Sequence, residues 1–389
     1  MSKLLYLPEL DGLRAIAFLL VLVSHFPVTT TSSTLKLITI YAGEVGVNLF
    51  FVISTYLFFT ILPKEWDARG RISVRDFIIR RLLRIYPLLF VFVLGSVVIY
   101  GTTEYYRAVS ILLLIDSIVL AMTTFSYSVL YTGHFWTLSV EFQVYLLIPA
   151  ALILLKRIGM VKFAWAIAAV FIYCLALRFV FFKLQIGQLA FQALSFLSPE
   201  PFLVGIALAT FKPRWHWTIS ALVAGGAMLI YFRLPYPFTT SMPGIILGKP
   251  AGAVMLAALI DIALRAPLGA ILRLTPFLYL GKISYGLYVF HVWAIWQVVQ
   301  RLELAGWVLR SPSEPPSTVT YFTVLALVFT VTMIAASISF YVLERPIDRL
   351  KRRFTIVETR TSVREEPLLT GVSGSRSAIP SPSLAVERV

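Results

Sequence analysis

The chain has 389 residues, of which 59% are hydrophobic and 14% are charged, and its mean hydropathy is +0.85. Soluble domains carry about 45–50% apolar and about 25% charged residues, so this composition excludes an ordinary soluble protein and a largely disordered one. The net charge of +15 gives no indication of nucleic-acid binding, because membrane proteins collect Lys and Arg in their cytoplasmic segments. We therefore predict an all-α polytopic membrane protein.

Apolar runs approaching the length that crosses a bilayer recur along most of the chain. We predict ten membrane-spanning helices, at residues 15–28, 43–62, 88–100, 136–155, 163–182, 196–211, 217–232, 244–264, 277–299 and 319–343. The first run is not followed by a small-residue cleavage site, so we interpret it as a retained helix rather than a signal peptide.

A further apolar run, residues 109–125, is ambiguous because it is short and contains Asp116. With ten spans, most of the Lys and Arg residues lie on one side of the membrane, whereas an eleventh span would divide them almost equally. The positive-inside rule therefore favours ten spans, with both termini cytoplasmic. We predict that residues 109–125 form a re-entrant or interfacial hairpin on the outer side.

Two segments have a composition that differs from the spans. Residues 64–87 are rich in arginine and are predicted to be a cytoplasmic loop that contains an amphipathic helix at residues 73–85. The C-terminal segment is rich in Ser, Pro and Thr with mixed charge, which cannot bury a core. We expect a transmembrane domain at residues 1–350 and a cytoplasmic, disordered tail at residues 351–389.

Ionisable side chains within membrane helices are costly and are therefore candidates for function. Arg14 and His25 are eleven residues apart, which places them on one face of a helix with about 16 Å between them. Helical rise brings five further polar residues close to the level of His25: Glu44, Asn48, Ser139, Glu141 and His291. A histidine with a carboxylate suits general-base chemistry on a hydroxyl, although a histidine that is only hydrogen-bonded within the helix bundle is the simpler alternative.

A cluster of arginines precedes the third predicted span. Arg80 and Arg84 share a helical face, and Arg81 lies between them in the sequence. Guanidinium groups bind phosphates through paired hydrogen bonds, so this cluster, joined by Arg14, is a candidate phosphate site. The alternative is an ordinary positive-inside anchor.

Several familiar chemistries are missing from the sequence. There is no P-loop, no G-x-S-x-G motif, no H-E-x-x-H motif and no cluster of metal ligands, so we expect no metal. Cys174 is the single cysteine, which excludes an intramolecular disulfide. His216 lies between two tryptophans beside basic residues and is interpreted as an interface anchor.

Six blocks in chain order carry a resemblance: residues 10–17 with His25, 46–54, 80–87, 134–143, 283–291 and 344–346. Together they resemble the membrane-bound acyltransferase-3 family, in its stand-alone form without a fused SGNH domain. The sequence departs from the family at Asn48, where an aspartate is usual. That departure puts in doubt an acidic partner for His25 from the second span, unless Glu44 substitutes for it.

The resemblance implies a membrane O-acyltransferase of the bacterial plasma membrane. Acetyl-CoA or another acyl-CoA would be the cytoplasmic donor, with its phosphates on Arg14, Arg80, Arg81 and Arg84. His25, assisted by Glu141, would act on a sugar hydroxyl of a surface polysaccharide or lipid-linked oligosaccharide. The candidates along the substrate path are Glu44, Asn48, Ser54, His134, Trp136, Ser139, Tyr285 and His291.

The partners implied are membrane lipids, the donor and the glycan, with or without a separate extracytoplasmic transferase, and no nucleic acid. Two alternatives stay open from the sequence. One is an acyltransferase that acts on a small glycosylated metabolite, and the other is a transporter or flippase, in which buried histidines and charges are also ordinary.

Overall fold

A computed structural model of the chain describes residues 6–27, 33–101, 105–122, 131–184, 194, 197–234, 238, 241–311 and 316–354. The regular structure in these residues is entirely helical. The helices are α1 (Pro8–His25), α2 (Ser33–Arg69), α3 (Val74–Tyr100), α4 (Tyr105–Leu112), α5 (Asp116–Met122), α6 (Trp136–Lys183), α7 (Glu200–Phe211), α8 (Trp217–Arg233), α9 (Lys249–Arg265), α10 (Thr275–Lys282), α11 (Ser284–Leu304), α12 (Thr318–Ser339) and α13 (Arg345–Lys351). Short π-helical turns at Gly244–Gly248 and Phe340–Glu344 lead into α9 and α13.

Five helical segments of the described residues are long and apolar enough to cross a membrane: Ile38–Arg69, Val74–Tyr100, Trp136–Lys183, Gly244–Arg265 and Thr318–Lys351. Two shorter apolar helices are α7 and α8. The prediction of an all-α polytopic membrane protein is therefore confirmed. The number of ten spans and the side of each terminus stay predictions, and residues 355–389 of the predicted tail lie outside the described residues.

Helix α6 joins two of the predicted spans. It runs through Pro149 and is interrupted at Gly159, whose φ of 79° and ψ of 170° are not helical. A positive φ of this kind is accessible to glycine because it has no Cβ. The predicted spans at residues 136–155 and 163–182 are therefore the two halves of one bent helical element.

The loop predicted within residues 64–87 is shorter than expected, since only residues 70–73 are not helical, whereas the predicted helix at residues 73–85 corresponds to the start of α3. Helix α2 continues through Pro63 to Arg69, and α3 begins at Val74 and continues through Pro87 to Tyr100. Ser73 caps α3, because its hydroxyl accepts a hydrogen bond from the backbone N–H of Asp76 at 3.3 Å. Membrane helices tolerate proline because neighbouring groups satisfy the freed backbone. Arg75, Arg80, Arg81 and Arg84 lie on α3, as predicted, and the cytoplasmic side of this region stays a prediction.

The ambiguous segment at residues 109–125 is not one continuous helix. Helix α4 ends at Leu112, Leu114 adopts a left-handed φ of 57°, and α5 begins at Asp116. The buried carboxylate of Asp116 accepts hydrogen bonds from Ser110 Oγ at 3.0 Å and from Arg107 at 3.5 Å. This turn supports the predicted hairpin as far as Met122, and residues 123–125 lie outside the described part.

Helix α1 lies at the centre of the bundle, where it packs against α2, α10, α11 and the turn Pro267–Arg273. Glycines of α2 permit close contact between the two helices. A Cβ on Gly46 would lie 2.6 Å from the carbonyl oxygen of Ala17, and one on Gly43 would lie 2.7 Å from Ser24 Oγ. This close packing fixes the helix that carries Arg14 and His25.

Candidate active site

The candidate site residues divide between two ends of the bundle. Arg14, Arg80, Arg81 and Arg84 lie together around one cavity, which we call the arginine end. The rings of His25, His134 and His291 meet at the other end, which we call the histidine end. The eleven residues from Arg14 to His25 on α1 correspond to about 16 Å, so this one helix connects the two groups.

Three histidines form the cluster at the histidine end. The ring centroids are 4.7 Å apart for His134 and His291, 5.0 Å for His25 and His291, and 6.2 Å for His25 and His134. His134 and His291 are buried, whereas His25 is exposed. The helical rise predicted a common level for His25 and His291, and the structure brings their rings together. His134 joins them from the turn that precedes α6.

Each histidine uses one ring nitrogen for a bond to a backbone carbonyl. His25 Nδ1 lies 2.9 Å from the oxygen of Val21, while His134 Nε2 and His291 Nδ1 lie 2.9 and 2.7 Å from the oxygen of Tyr288. Because a carbonyl can only accept, these nitrogens donate, and the other nitrogen of a neutral ring keeps a lone pair. His134 Nδ1 and His291 Nε2 are buried without a hydrogen-bond partner in the described residues. The cluster therefore offers proton-accepting nitrogens.

A cavity of about 380 Å³ occupies the arginine end. Its lining holds six basic and four acidic side chains, and much of the remainder is apolar. The cavity extends as far as Thr137 and Tyr288, which lie next to the histidine cluster. A cavity whose wall carries a basic excess and is otherwise largely apolar suits a ligand that is anionic at one end and uncharged at the other.

Two of the arginines have buried acidic partners that the sequence analysis missed. Arg80 pairs with Glu65 at 2.7 Å and also donates to the carbonyl of Phe354. Arg84 Nη1 lies 3.3 Å from the carboxylate of Glu344, in the π-helical turn, and 3.8 Å from that of Asp348, on α13. Their charges are thus largely compensated before any ligand binds.

Arg81 and Arg14 differ from that pair. Among the described residues, Arg14 bonds only Asp11, three residues earlier on the same helix, at 2.8 Å. Arg81 makes no ion pair with a described residue, and its guanidinium lies 4.6 Å from the ring centroid of Phe58. Its buried Nε has no hydrogen-bond partner among the described residues. Of the four predicted phosphate ligands, Arg81 is the one that makes no ion pair with a described carboxylate, although Glu141 lies near enough to interact with its charge.

Glu141 belongs to the cavity rather than to the histidine cluster. Its Oε1 accepts a hydrogen bond from the hydroxyl of Ser54 at 2.6 Å, and Tyr145 is a second hydrogen-bonding neighbour. All three side chains line the cavity. Glu141 lies five residues into α6, about 8 Å along the helix from Trp136, and no hydrogen bond or ion pair joins it to a described histidine.

A pair of hydroxyl groups separates the cavity from the histidine cluster. Thr137 Oγ1 and the hydroxyl of Tyr288 are 2.6 Å apart, and the Tyr288 hydroxyl also donates to the carbonyl of His134 at 3.0 Å. The ring of Tyr288 is 5.0 Å from that of His134 and 5.5 Å from that of His291. We call Thr137 and Tyr288 the septum. Both residues belong to the family blocks at residues 134–143 and 283–291, but neither was predicted as a site residue, because a threonine or a tyrosine is ordinary in an apolar helix.

Other predicted path residues lie at several depths. Tyr285 lines the cavity and donates to the carbonyl of Ile85 at 2.5 Å. Ser139 is buried, and Trp136 packs against the hydrophobic core at the start of α6. Asn48 makes no hydrogen bond with a described residue.

Glu44 belongs to a separate charged cluster. It lies near Lys249, Glu200 and Arg178, and a buried ion pair of 2.5 Å joins the latter two. This neighbourhood does not make it a partner of His25. Among the described residues, no group of three or more His, Cys, Asp or Glu side chains is arranged to hold a metal ion.

The family model described as an acyltransferase domain matches residues 7–341. The chain belongs to this acyltransferase family. The match begins just before α1 and ends within the π-helical turn that leads into α13, so it includes both ends of the site. No solved structure matches the chain significantly.

Three curated relatives illustrate the family. A provisionally named O-acetyltransferase of Staphylococcus aureus (strain COL) is 32% identical over 168 residues, which are 40% of this chain and 26% of that protein. The peptidoglycan O-acetyltransferase OatA of Listeria monocytogenes is 34% identical over 96 residues, 25% of this chain and 14% of the relative. A provisionally named peptidoglycan O-acetyltransferase of Bacillus subtilis (strain 168), YrhL, is 24% identical over 376 residues, 88% of this chain and 55% of the relative. The matches thus span about half of these relatives or less.

Proposed function

We propose that the protein is a membrane O-acetyltransferase that transfers an acetyl group from acetyl-CoA to a sugar hydroxyl of a cell-surface glycan. The observation that carries this proposal is the arrangement along α1, where a basic cavity ends at a septum and a histidine cluster lies directly beyond it. Membership of the acyltransferase family supports the reaction. The names of two relatives, which specify peptidoglycan, support a glycan as the acceptor.

The arginine end would bind the donor. Arg81 presents a guanidinium that makes no ion pair with a described residue, and Arg14 can exchange its half-buried pair with Asp11 for a phosphate. The apolar part of the cavity accommodates the uncharged arm that carries the thioester. About 16 Å separate Arg14 from His25, so the donor must be elongated, with anionic and reactive groups at opposite ends. An acyl-CoA has this form.

The histidine end would carry out the transfer. His25 Nε2 accepts the proton of the acceptor hydroxyl while the hydroxyl oxygen attacks the thioester carbonyl. A carbon–oxygen bond forms and the carbon–sulfur bond breaks, and the proton passes from His25 to the departing sulfur. The products are an ester and a free thiol. The bond from His25 Nδ1 to the carbonyl of Val21 keeps the tautomer in which Nε2 is the base.

Glu141 would act from the donor side of the septum. Its carboxylate orients Ser54 and lies in the same cavity as Arg81, so we assign it to the placement of the donor arm. A location in the bacterial plasma membrane follows from the proposed reaction, because the donor is cytoplasmic and the glycan lies outside. Transfer to a small glycosylated metabolite, or to a separate extracytoplasmic transferase, would use the same donor site.

The test uses the full chain in proteoliposomes, with radiolabelled acetyl-CoA and cell-wall glycan on opposite sides of the bilayer. We expect the wild type and His216→Ala to label the glycan, because His216 is exposed and remote in sequence from the cluster. We expect no label with His25→Ala. Full transfer by a folded His25→Ala protein would overturn the assignment of the base. Movement of label across the bilayer without ester formation would instead identify a transporter.

A further inference from the structure

Three aromatic side chains from separate segments meet at the histidine end. Tyr100 is the last residue of α3, Tyr131 precedes α6, and Trp296 lies on α11. The ring of Tyr131 is 5.3 Å from Tyr100, with the planes at 88°, and 6.0 Å from Trp296, with the planes at 44°. We call these three residues the aromatic corner. Tyr100 and Trp296 are 45% and 43% exposed, so their ring faces remain accessible.

Polar groups line one side of the aromatic corner. The hydroxyl of Tyr100 accepts hydrogen bonds from Trp293 Nε1 at 3.0 Å and from Gln297 Nε2 at 3.1 Å. A phenol oxygen that accepts two bonds keeps its own proton for donation, and no described residue accepts it. Arg301 holds Gln297 in place, because Arg301 Nη1 donates to Gln297 Oε1 at 2.5 Å. The corner therefore presents a fixed hydroxyl donor beside its rings.

A charged group borders the other side of the corner. The guanidinium of Arg310 lies 5.5 Å from the ring centroid of Trp296, and Glu303 holds it through a bond of 2.8 Å from Nε. This carboxylate also raises the pKa of Arg310, so the guanidinium stays charged. Both borders of the corner can thus hydrogen-bond to a ligand that packs on the rings.

The backbone of Tyr131 has an unusual conformation. Its φ of 54° is left-handed, a region that bulky side chains rarely adopt. A residue is kept in such a conformation only where the surrounding structure requires it, and these positions cluster at binding sites. Here the conformation accompanies a ring that stands between Tyr100 and Trp296.

We propose that the aromatic corner binds a sugar ring of the acceptor glycan. A sugar has apolar C–H faces that pack on aromatic rings and a rim of hydroxyls that hydrogen-bond, which matches the rings, the Tyr100 hydroxyl and Arg310. Tyr131 is three residues from His134, a distance of at most about 10 Å, and the ring of His134 is 6.2 Å from that of His25, so a glycan held at the corner can extend to the histidine cluster. The inference rests on the proposed function, since it locates the acceptor of that reaction.

The test measures glycan binding apart from transfer. The full chain carrying His25→Ala is reconstituted in nanodiscs and titrated with a β-1,4-linked N-acetylglucosamine tetrasaccharide. We expect saturable binding that Trp296→Ala and Tyr131→Ala each weaken about tenfold. Trp307→Ala is the matched control, because Trp307 is 42% exposed, follows the same helix and makes no ring contact with a described residue. Its affinity should be unchanged.

Two results would overturn the inference: no saturable binding of the tetrasaccharide, or equal effects of Trp296→Ala and Trp307→Ala. Equal effects would identify the rings as an ordinary interfacial belt. A second measurement separates this failure from failure of the proposed function. In transfer assays with His25 intact, Trp296→Ala should raise the KM for the glycan about tenfold and leave the KM for acetyl-CoA unchanged. Transfer by Trp296→Ala with an unchanged glycan KM would refute the role of the corner but not the proposed function. Glycan binding without any transfer by the wild type would refute the proposed function but not the corner.

Discussion

The arginine end and the histidine end differ in what their polar side chains are bonded to. At the arginine end, Arg80 and Arg84 are charged and paired with carboxylates from distant parts of the chain. At the histidine end, three rings that can stay neutral are bonded to backbone carbonyls and retain lone pairs. Because Arg80 and Arg84 are already paired, Arg81 and Arg14 are the arginines open to an incoming anion, whereas a neutral base with an unused lone pair can take up a proton. This difference is why we propose donor binding at the arginine end and chemistry at the histidine end.

The largest effect should come from the histidine end. We expect His25→Ala to lower the rate of acetyl transfer by about 10²–10⁴, because a general base of this kind contributes about that much. The affinity for acetyl-CoA should not change, since His25 lies beyond the septum. Steady-state kinetics and a separate binding titration would measure both quantities. A loss of acetyl-CoA binding in this variant would contradict the division between the two ends.

A large loss of stability should follow removal of a buried charge at the arginine end. Arg80→Ala leaves Glu65 buried and unpaired, which typically costs about 3–5 kcal/mol. Thermal unfolding in detergent would show this as a marked fall in Tm. The double variant Arg80→Ala with Glu65→Gln should recover part of the loss. Equal stability of the single and double variants would show that the pair is not energetically coupled.

Arg81 provides the contrast within the same end. We expect Arg81→Ala to raise the KM for acetyl-CoA roughly 10–100-fold, because a hydrogen bond to a charged group contributes about 1.5–3 kcal/mol. Its Tm should change less than that of Arg80→Ala, since Arg81 has no ion-pair partner among the described residues. Arg81→Lys keeps the charge and should recover part of the affinity. An unchanged KM in Arg81→Ala would exclude this guanidinium from donor binding.

The smallest effect should come from the septum. Tyr288→Phe removes the hydroxyl that bonds Thr137 and the carbonyl of His134, and a bond of this kind contributes about 0.5–1.5 kcal/mol. We expect slower transfer by a few fold together with faster hydrolysis of acetyl-CoA in the absence of glycan. Release of free CoA measures the hydrolysis. Thr137→Val is the companion variant, and opposite behaviour of the two would contradict a shared role.

The sequence predicted distances along helices better than contacts between them. Helical rise placed His25 and His291 at one level, and the rings are indeed 5.0 Å apart. The same reasoning placed Glu141 near them, but depth does not specify the face of a helix, and its carboxylate points into the cavity. His134 precedes its helix, so no helical period could place it.

The acidic partners of the arginines were beyond sequence reasoning for a different reason. Glu65 and Glu344 are 15 and 260 residues from Arg80 and Arg84, and only the packed bundle brings them into contact. The predicted spans ended at residue 62 and began again at residue 88, whereas α2 and α3 continue without a break through Pro63 and Pro87, because a membrane bundle accommodates proline within helices. The ordered family motifs, in contrast, identified the family correctly from the residues alone.

The septum has a consequence for the membrane itself. A protein that admits a soluble donor from one face and exposes a base at the other approaches an open channel through the bilayer, and an open channel would dissipate ion and proton gradients. Thr137 and Tyr288 lie on that route, joined by a hydrogen bond of 2.6 Å, with the ring of Tyr288 against that of His134. In the proposed reaction, only the acetyl group of the donor has to move past Thr137 and Tyr288. In the proposed reaction, the protein therefore exports an acyl group while the cell keeps both its coenzyme and its membrane potential.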